Sequence, residues 1–436
     1  MSQTIQLNIK QIFDLAFENQ KKKKFDVAKK LYEKVIEINP NILNAQFNLG
    51  IIYDELNENE KAINCYEKAI NLDPLFIQSY NNLGLIFRNL GEINKAKKYF
   101  LKIIDINPKY PNAYNNLGHI YADAGNYKKA IDNYITALKY DNLNKIALKK
   151  LILSLTYFIP NINHPIIDTS KKLKKLNNNL NINHLLKHNN LKIYFQNVYK
   201  IKNEINDNIK FLNFSESQVF RRNSLDLNCE RHHKVFNRVN LIPKFCFSCF
   251  KIQIEPKNVL ELIKLLLIFD NIKLKNNNWR KCMIELRSNI DGIYKGLIFC
   301  SSLSEAEKIL TDITPLLRGH LNYKVSIKRG CSEFYKSYPN FKITDEEQSD
   351  FMKYPNKWKK LELNEDLREN PKHQKLVSSI SGLTISDVLI INQWLNYANL
   401  INDRSYNDIG LEFTHSEYIN KKMLHQTELR RKQFVC

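Results

Sequence analysis

The sequence is short of glycine in the places where phosphate chemistry would need it. Of its 11 glycines, six follow residue 150 (Gly292, Gly296, Gly319, Gly330, Gly382 and Gly410), and none of them forms G-x-G or a phosphate loop. Nucleotide-sugar and dinucleotide sites use such glycines to bring backbone against phosphate, so those classes are disfavoured. G-x-S-x-G, H-E-x-x-H and H-x-D are missing as well. No run reaches the roughly 18 apolar residues of a membrane-spanning helix. The longest candidate, Val259 to Phe269, is broken by Glu261 and Lys264. The first twenty residues lack the apolar segment of a signal peptide. Cysteine is almost absent from the first half, where only Cys65 precedes residue 228, and the chain carries eight in all. Together these features lead us to expect reduced thiols in a cytoplasmic protein.

Acidic residues are also in deficit. Lys and Arg number 66 against 45 Asp and Glu, a formal charge of +21. Such a balance attracts nucleic acid, anionic membranes or acidic proteins. Here the basic runs (Lys21 to Lys24, Lys171 to Lys175, Lys357 to Lys360, Arg430 to Lys432) are scattered, whereas a nucleic-acid binder concentrates its charge on one face. Abundant Lys, Asn and Ile together is also what an AT-rich genome produces. Nucleic acid is therefore not the favoured partner. With 436 residues, 43% of them hydrophobic, the chain has material for two or three domains.

What is present in abundance is period. Asn-Leu-Gly occurs at Asn48-Leu49-Gly50, Asn82-Leu83-Gly84 and Asn116-Leu117-Gly118, 34 residues apart each time. Pro40, Pro74 and Pro108 keep the same spacing, as do Ala28, Ala62, Ala96 and Ala130, and the aromatics Tyr32, Tyr66, Phe100 and Tyr134. A fixed period of this size marks a repeat architecture. Four units fit, 9–42, 43–76, 77–110 and 111–144, each with two apolar-periodic segments. Small residues stand where paired helices approach: Gly50, Ala62 and Ala69; Gly84 and Ala96; Gly118, Ala130 and Ala137. The prolines end each second helix.

In this register the region closely resembles the tetratricopeptide repeat family. The departures are Asp14 and Asn19 in the first unit, Ile103 in the third and Asn142 in place of proline in the fourth. The resemblance implies an α-solenoid of four helix pairs over 9–158, closed by a capping helix from Lys145 to Phe158. It also implies a concave groove that binds an extended peptide or protein. Asn48, Asn82 and Asn116 occupy the family's ligand-facing amide position, beside Phe47, Asn81, Asn115 and His119. An amide can donate to a backbone carbonyl and accept from an N–H, so a ladder of amides suits recognition without strong side-chain preference.

Residues 159–240 read as a helical connector. Its chemistry-bearing residues are Arg221, Arg222, Cys229, His232 and His233. Cys229-x2-His232 followed by Cys246-x2-Cys249 has zinc-ligand spacing in both halves. An iron–sulfur cluster completed by Cys282 or Cys300 is a second candidate cofactor. A geometric condition applies. In one continuous strand Cys246 and Cys249 would point to opposite faces, so a shared metal requires the strand to begin near Phe250.

Over 241–335 the period switches to alternation. Strands are predicted at Phe250–Ile254, Arg280–Arg287, Tyr294–Cys300 and Tyr323–Lys328. Helices are predicted after Asn258 and after the capping box Ser302-x-x-Glu305. The order β-α-β-β-α-β is the ferredoxin-like arrangement. One sheet face would then display Lys251, Gln253, Glu285, Arg287, Lys324, Ser326 and Lys328 as an open charged surface. RNA-recognition domains share this topology, but the stacking aromatics they need are mostly missing. Residues 336–436 read as a helical tail, with its strongest segment at Ser386 to Leu400 and a final basic helix at Ser416 to Phe434. The overall expectation is α + (α+β), and the function expected is that of a protein-binding adaptor. The alternatives are a protein- or glycan-modifying transferase that captures its substrate on the repeats, and an RNA-binding module.

Overall fold

The computed structural model describes residues 8–178, 180–204, 214, 216–221, 223, 227, 229–287, 290–368, 377–410, 415 and 417–423. Arg222, and most of the basic helix expected over Ser416 to Phe434, lie outside them. The chain divides into two compact units, 1–123 with 129–147, and 124–128 with 148–436.

The first unit is a stack of helix pairs: α1 Ile9–Lys21 with α2 Phe25–Ile38, α3 Leu43–Glu55 with α4 Asn59–Leu72, α5 Ile77–Asn89 with α6 Ile93–Ile106, and α7 Pro111–Asp123 with α8 Tyr127–Tyr140. Helices α2, α4 and α6 each end two residues before Pro40, Pro74 and Pro108, because proline cannot accept the helical conformation in the residue before it. The repeated small residues have a measurable cause. A Cβ added to Gly50 would lie 2.7 Å from the Tyr66 ring, and one on Gly84 would lie 2.6 Å from the Phe100 ring. Those rings, with Tyr32 and Tyr134, are fully buried. The period therefore repeats one packing event, a glycine on the first helix receiving an aromatic edge from the second. Burying a ring of this size stabilises by roughly 1.5–3 kcal/mol per unit. Helix α9, Lys145–Ser154, carries the chain across the division.

The second unit begins with helices α10 Pro165–Asn177, α11 Ile182–Leu185 and α12 His188–Asn203. Pro165 opens α10, with His164 as its cap. Then come β1 Gln218–Arg221, α13 Cys229–Val239, β2 Phe250–Pro256, α14 Val259–Asn271, β3 Arg280–Ile284, β4 Tyr294–Cys300, α15 Leu303–His320 and β5 Tyr323–Arg329. Helices α16 Trp358–Arg368, α17 Ile385–Leu400 and α18 Glu417–Met423 follow. The caps at Asn258 and Ser302 form as read from the sequence. Helix α17 is capped by Thr384, with Asp387 closing the capping box.

The five strands run in the order β1-β3-β4-β2-β5, with every neighbouring pair antiparallel. Helices α14 and α15 pack on the face carrying Ile252, Ile254, Cys282, Ile284 and Ile298. The other face departs from expectation. Lys251, Gln253 and Glu285 are buried there, and among the residues read as an open charged surface only Arg287, Lys324 and Ser326 are well exposed. Leu227 and Cys229 pack against Leu297 and Phe299, and Cys331 lies on Lys251. Period-2 alternation reports polar side chains on one face. It cannot report a distant segment that folds across them.

Candidate functional site

In the repeat array the three expected amides hold comparable places, each two residues before the Gly that receives an aromatic ring. They are engaged with their own array. Asn48 donates to the Tyr32 hydroxyl at 3.1 Å, and Asn82 donates to the Tyr66 hydroxyl at 3.1 Å. Asn116 donates to Oδ1 of Asn81 at 3.2 Å, and Asn81 in turn donates to Oδ1 of Asn82 at 3.4 Å. The row is thus a hydrogen-bonded relay linking successive units. Part of its donor capacity is already used. Burial pushes the Tyr32 hydroxyl up to about 12, with the Asn48 amide opposing.

Asn115 is different. It is 8% exposed, and its Oδ1 finds no hydrogen-bond partner among the described residues. A buried acceptor left this way costs about 1–3 kcal/mol unless something outside the chain supplies a donor. Phe47 is partly buried between the Tyr66 and Phe76 rings, at centroid distances of 5.7 and 5.0 Å. His119 sits edge-on to Tyr134 at 5.9 Å.

The second unit places the expected metal quartet apart. Strand β2 does begin at Phe250, and a short 3-10 turn, Lys244–Ser248, precedes it. That turn sends Cys246 into a core with Phe334 and Phe341, while Cys249 packs with Cys229 against Trp279 and Phe299. His232 is buried and tilted over Phe245 at 5.4 Å. No three of Cys229, His232, Cys246 and Cys249 bring ligand atoms within 4.8 Å of one another. Arg221, read as a candidate anion binder, is consumed structurally. It is 4% exposed, pairs with Asp270 and Asp387, and donates to the Gly382 carbonyl at 3.1 Å.

The trio that does converge among the described residues is His233, Cys331 and Glu333. Two separate segments deliver them, and a third supplies a cation. His233 comes from α13. Lys251, on β2, donates to Cys331 Sγ at 3.0 Å. Cys331 and Glu333 follow β5 across a turn at Gly330, which has φ +58 and lies against the Phe341 ring, so a side chain there is excluded twice. The Gly330 N–H donates to the Cys249 carbonyl at 2.6 Å, extending the β2–β5 ladder to this point.

The electrostatics favour a thiolate. Burial pushes the Cys331 thiol up, but the Lys251 charge and hydrogen bonds from His233 and Lys251 outweigh it and hold the group down at about 7. His233 is raised, chiefly by its hydrogen bond to Cys331 and against the effect of burial, with Glu333 assisting. Glu333 pairs with Arg287, which also grips Glu285 at 2.8 and 2.9 Å. Both anions therefore already have cations, and a divalent metal here would meet the Lys251 ammonium at close range. The other thiols differ sharply: burial pushes Cys229 up to about 11 and Cys300 up to about 12. Beside the cluster lies a cavity of about 300 Å³ lined by Leu227, Phe245, Cys249, Trp279 and Phe299. Lys251 stands 5.1 Å from the Phe299 ring that forms its wall.

Sequence reasoning reached His233 only as a neighbour of His232, and it missed Cys331, Glu333 and Lys251 as a group. The available signal was Gly330-Cys331-Ser332-Glu333 at the end of a strand.

Comparison with known proteins identifies the first unit. Residues 12–42 and 77–110 match one tetratricopeptide repeat family, 31–64 and 99–132 match a second, and 52–91 match a TPR repeat family. Residues 12–132 thus carry tetratricopeptide repeats, and the C-terminal half matches no family. No curated protein matches the sequence. Among solved structures, a crystal structure of MamA is similar at 22% identity over 47% of this chain and 94% of that one, with a TM-score of 0.33. MamA from Desulfovibrio magneticus RS-1 gives 13%, 45%, 94% and 0.32. YrrB, described as a TPR protein with an unusual peptide-binding site, gives 17%, 34%, 76% and 0.30. At these identities and scores the likeness carries no functional argument.

Proposed function

We propose that this chain is an adaptor whose repeat array holds an extended protein segment along the row Asn48, Asn81, Asn82, Asn115 and Asn116, flanked by Phe47 and His119. Tetratricopeptide repeats are protein-interaction modules. The observation that carries the reading to these residues is the buried, unpartnered Oδ1 of Asn115. Once the Asn115 amide turns toward the groove, a backbone N–H of the ligand satisfies it, and the relay from Asn116 to Tyr66 keeps the neighbouring amides oriented. Recognition of this kind reads a backbone more than a side chain.

The strand order supports reading the second unit as ferredoxin-like, with Gln218–Arg221 as an added edge strand. The reading places the protein in the cytoplasm. No helix among the described residues is long and apolar enough to cross a membrane.

The test is affinity capture with the full chain, comparing wild type with Asn115→Ala. The substitution removes an unsatisfied acceptor, so the free protein keeps or gains stability while capture falls. Unchanged recovery of co-purifying proteins would sink the assignment.

A further inference from the structure

Beyond this binding role, we propose that Cys331 is the attacking thiolate of a thiol–disulfide exchange site, positioned by Lys251 and His233, with Cys249 as the thiol that closes on it. A soft nucleophile sits 3.0 Å from a buried ammonium, and within 4.8 Å of an imidazole nitrogen and a carboxylate oxygen that are equally close to each other. Cys331 is itself partly exposed. The groups facing it are Lys251 from β2, His233 from α13, Glu333 with its partner Arg287, Lys281 from β3, Tyr335, and the thiols Cys229, Cys246 and Cys249. Cys249 is reached through the ladder: its carbonyl accepts the Gly330 N–H, so the two chains run side by side where both thiols stand.

The ionisation fits the role. A thiol that titrates near ambient pH is the best attacker of a disulfide, and Cys331 is held at about 7. In the first step the Cys331 thiolate attacks one sulfur of a disulfide R–S–S–R′. The S–S bond breaks, and the departing R′S⁻ takes the proton of the His233 imidazolium. Loss of the Cys331 charge then removes one of the influences that raise the Cys249 thiol, which gives its proton to the now neutral His233. The Cys249 sulfur attacks the Cys331 sulfur, and RS⁻ leaves with that proton. Two protein thiols become one disulfide, and the substrate disulfide becomes two thiols.

The test uses the full chain. Iodoacetamide labelling at pH 7, read by peptide mass spectrometry, compares Cys331 with Cys229. Thiolate fractions differ by about 10⁴, offset by about 10² for the lower nucleophilicity of the more acidic thiol, so Cys331 labels about a hundredfold faster. His233→Gln and Lys251→Met each move the labelling midpoint of Cys331 upward by about a pH unit or more. Incubation with glutathione disulfide yields a Cys249–Cys331 disulfide in wild type. In Cys249→Ser it yields a Cys331–glutathione mixed disulfide. Cys331 labelling no faster than Cys229 in wild type overturns the proposal. So does fast alkylation without either disulfide, or bound zinc or iron that shields Cys331.

Discussion

Alanine for glycine inside a helix is usually stabilising, and this protein offers two helical glycines where the same change has opposite signs. At Gly319, in the last turn of α15, a Cβ meets nothing within 4 Å. Gly319→Ala then yields only the helix-propensity gain, a few tenths to about 1 kcal/mol so near the helix end. At Gly84 a Cβ would stand 2.6 and 2.7 Å from two ring atoms of Phe100. Ordinary contact between carbons is about 3.5–4.0 Å, so ring or helix must move by close to 1 Å. The ring is fully buried among Ala96, Ile103 and the facing helix, and it cannot swing into solvent. Overpacking of this kind costs roughly 1–3 kcal/mol. After the propensity gain of about 1 kcal/mol is subtracted, Gly84→Ala loses up to about 2 kcal/mol. Urea unfolding followed by far-UV circular dichroism gives the sign, and hydrogen exchange by mass spectrometry localises it. Peptides from α5 and α6 exchange faster in Gly84→Ala, while peptides from α15 exchange no faster in Gly319→Ala. Equal or slower exchange of α5 and α6 in Gly84→Ala would refute the packing argument for the whole repeat.

Other outcomes follow from the same geometry. Asn82→Ala strips the donor from the Tyr66 hydroxyl and costs about 1 kcal/mol, whereas Asn115→Ala is neutral or stabilising, a contrast that thermal unfolding resolves. Arg221→Met leaves Asp270 and Asp387 buried without their cation and lowers stability by about 3–5 kcal/mol in denaturant titration; a loss under about 1 kcal/mol would show the pair to be solvated. Cys331 titrates at about 7 in the folded chain and near its ordinary 9 when unfolded. Its depressed value contributes stability that is complete above about pH 9 and is lost as pH falls through 7. The stability gap between wild type and Cys331→Ser therefore widens from pH 7 to pH 9, and a flat gap would contradict the thiolate assignment.

The repeat array was legible because its packing is local. Each glycine and its aromatic partner lie 16 residues apart, as with Gly50 and Tyr66, so the sequence displays the contact once per unit. The strands were legible for a similar reason, since alternation is a property of neighbours. What escaped was every arrangement made by distant segments. Lys251 and Cys331 are 80 residues apart, and Arg221 and Asp387 are 166 apart. Neither pairing leaves a periodic trace. The expected metal quartet shows the converse error. Cys229, His232, Cys246 and Cys249 are close in sequence, and proximity made them look like one site. A 3-10 turn of five residues was enough to send Cys246 and Cys249 into different cores. Spacing proposes ligands, but the direction in which each side chain leaves the backbone decides whether they meet. At Cys331 that direction is set by a glycine with positive φ and by the end of an antiparallel ladder. The sequence shows the glycine but not which strand the ladder joins, so the thiol could be seen and its ammonium partner could not.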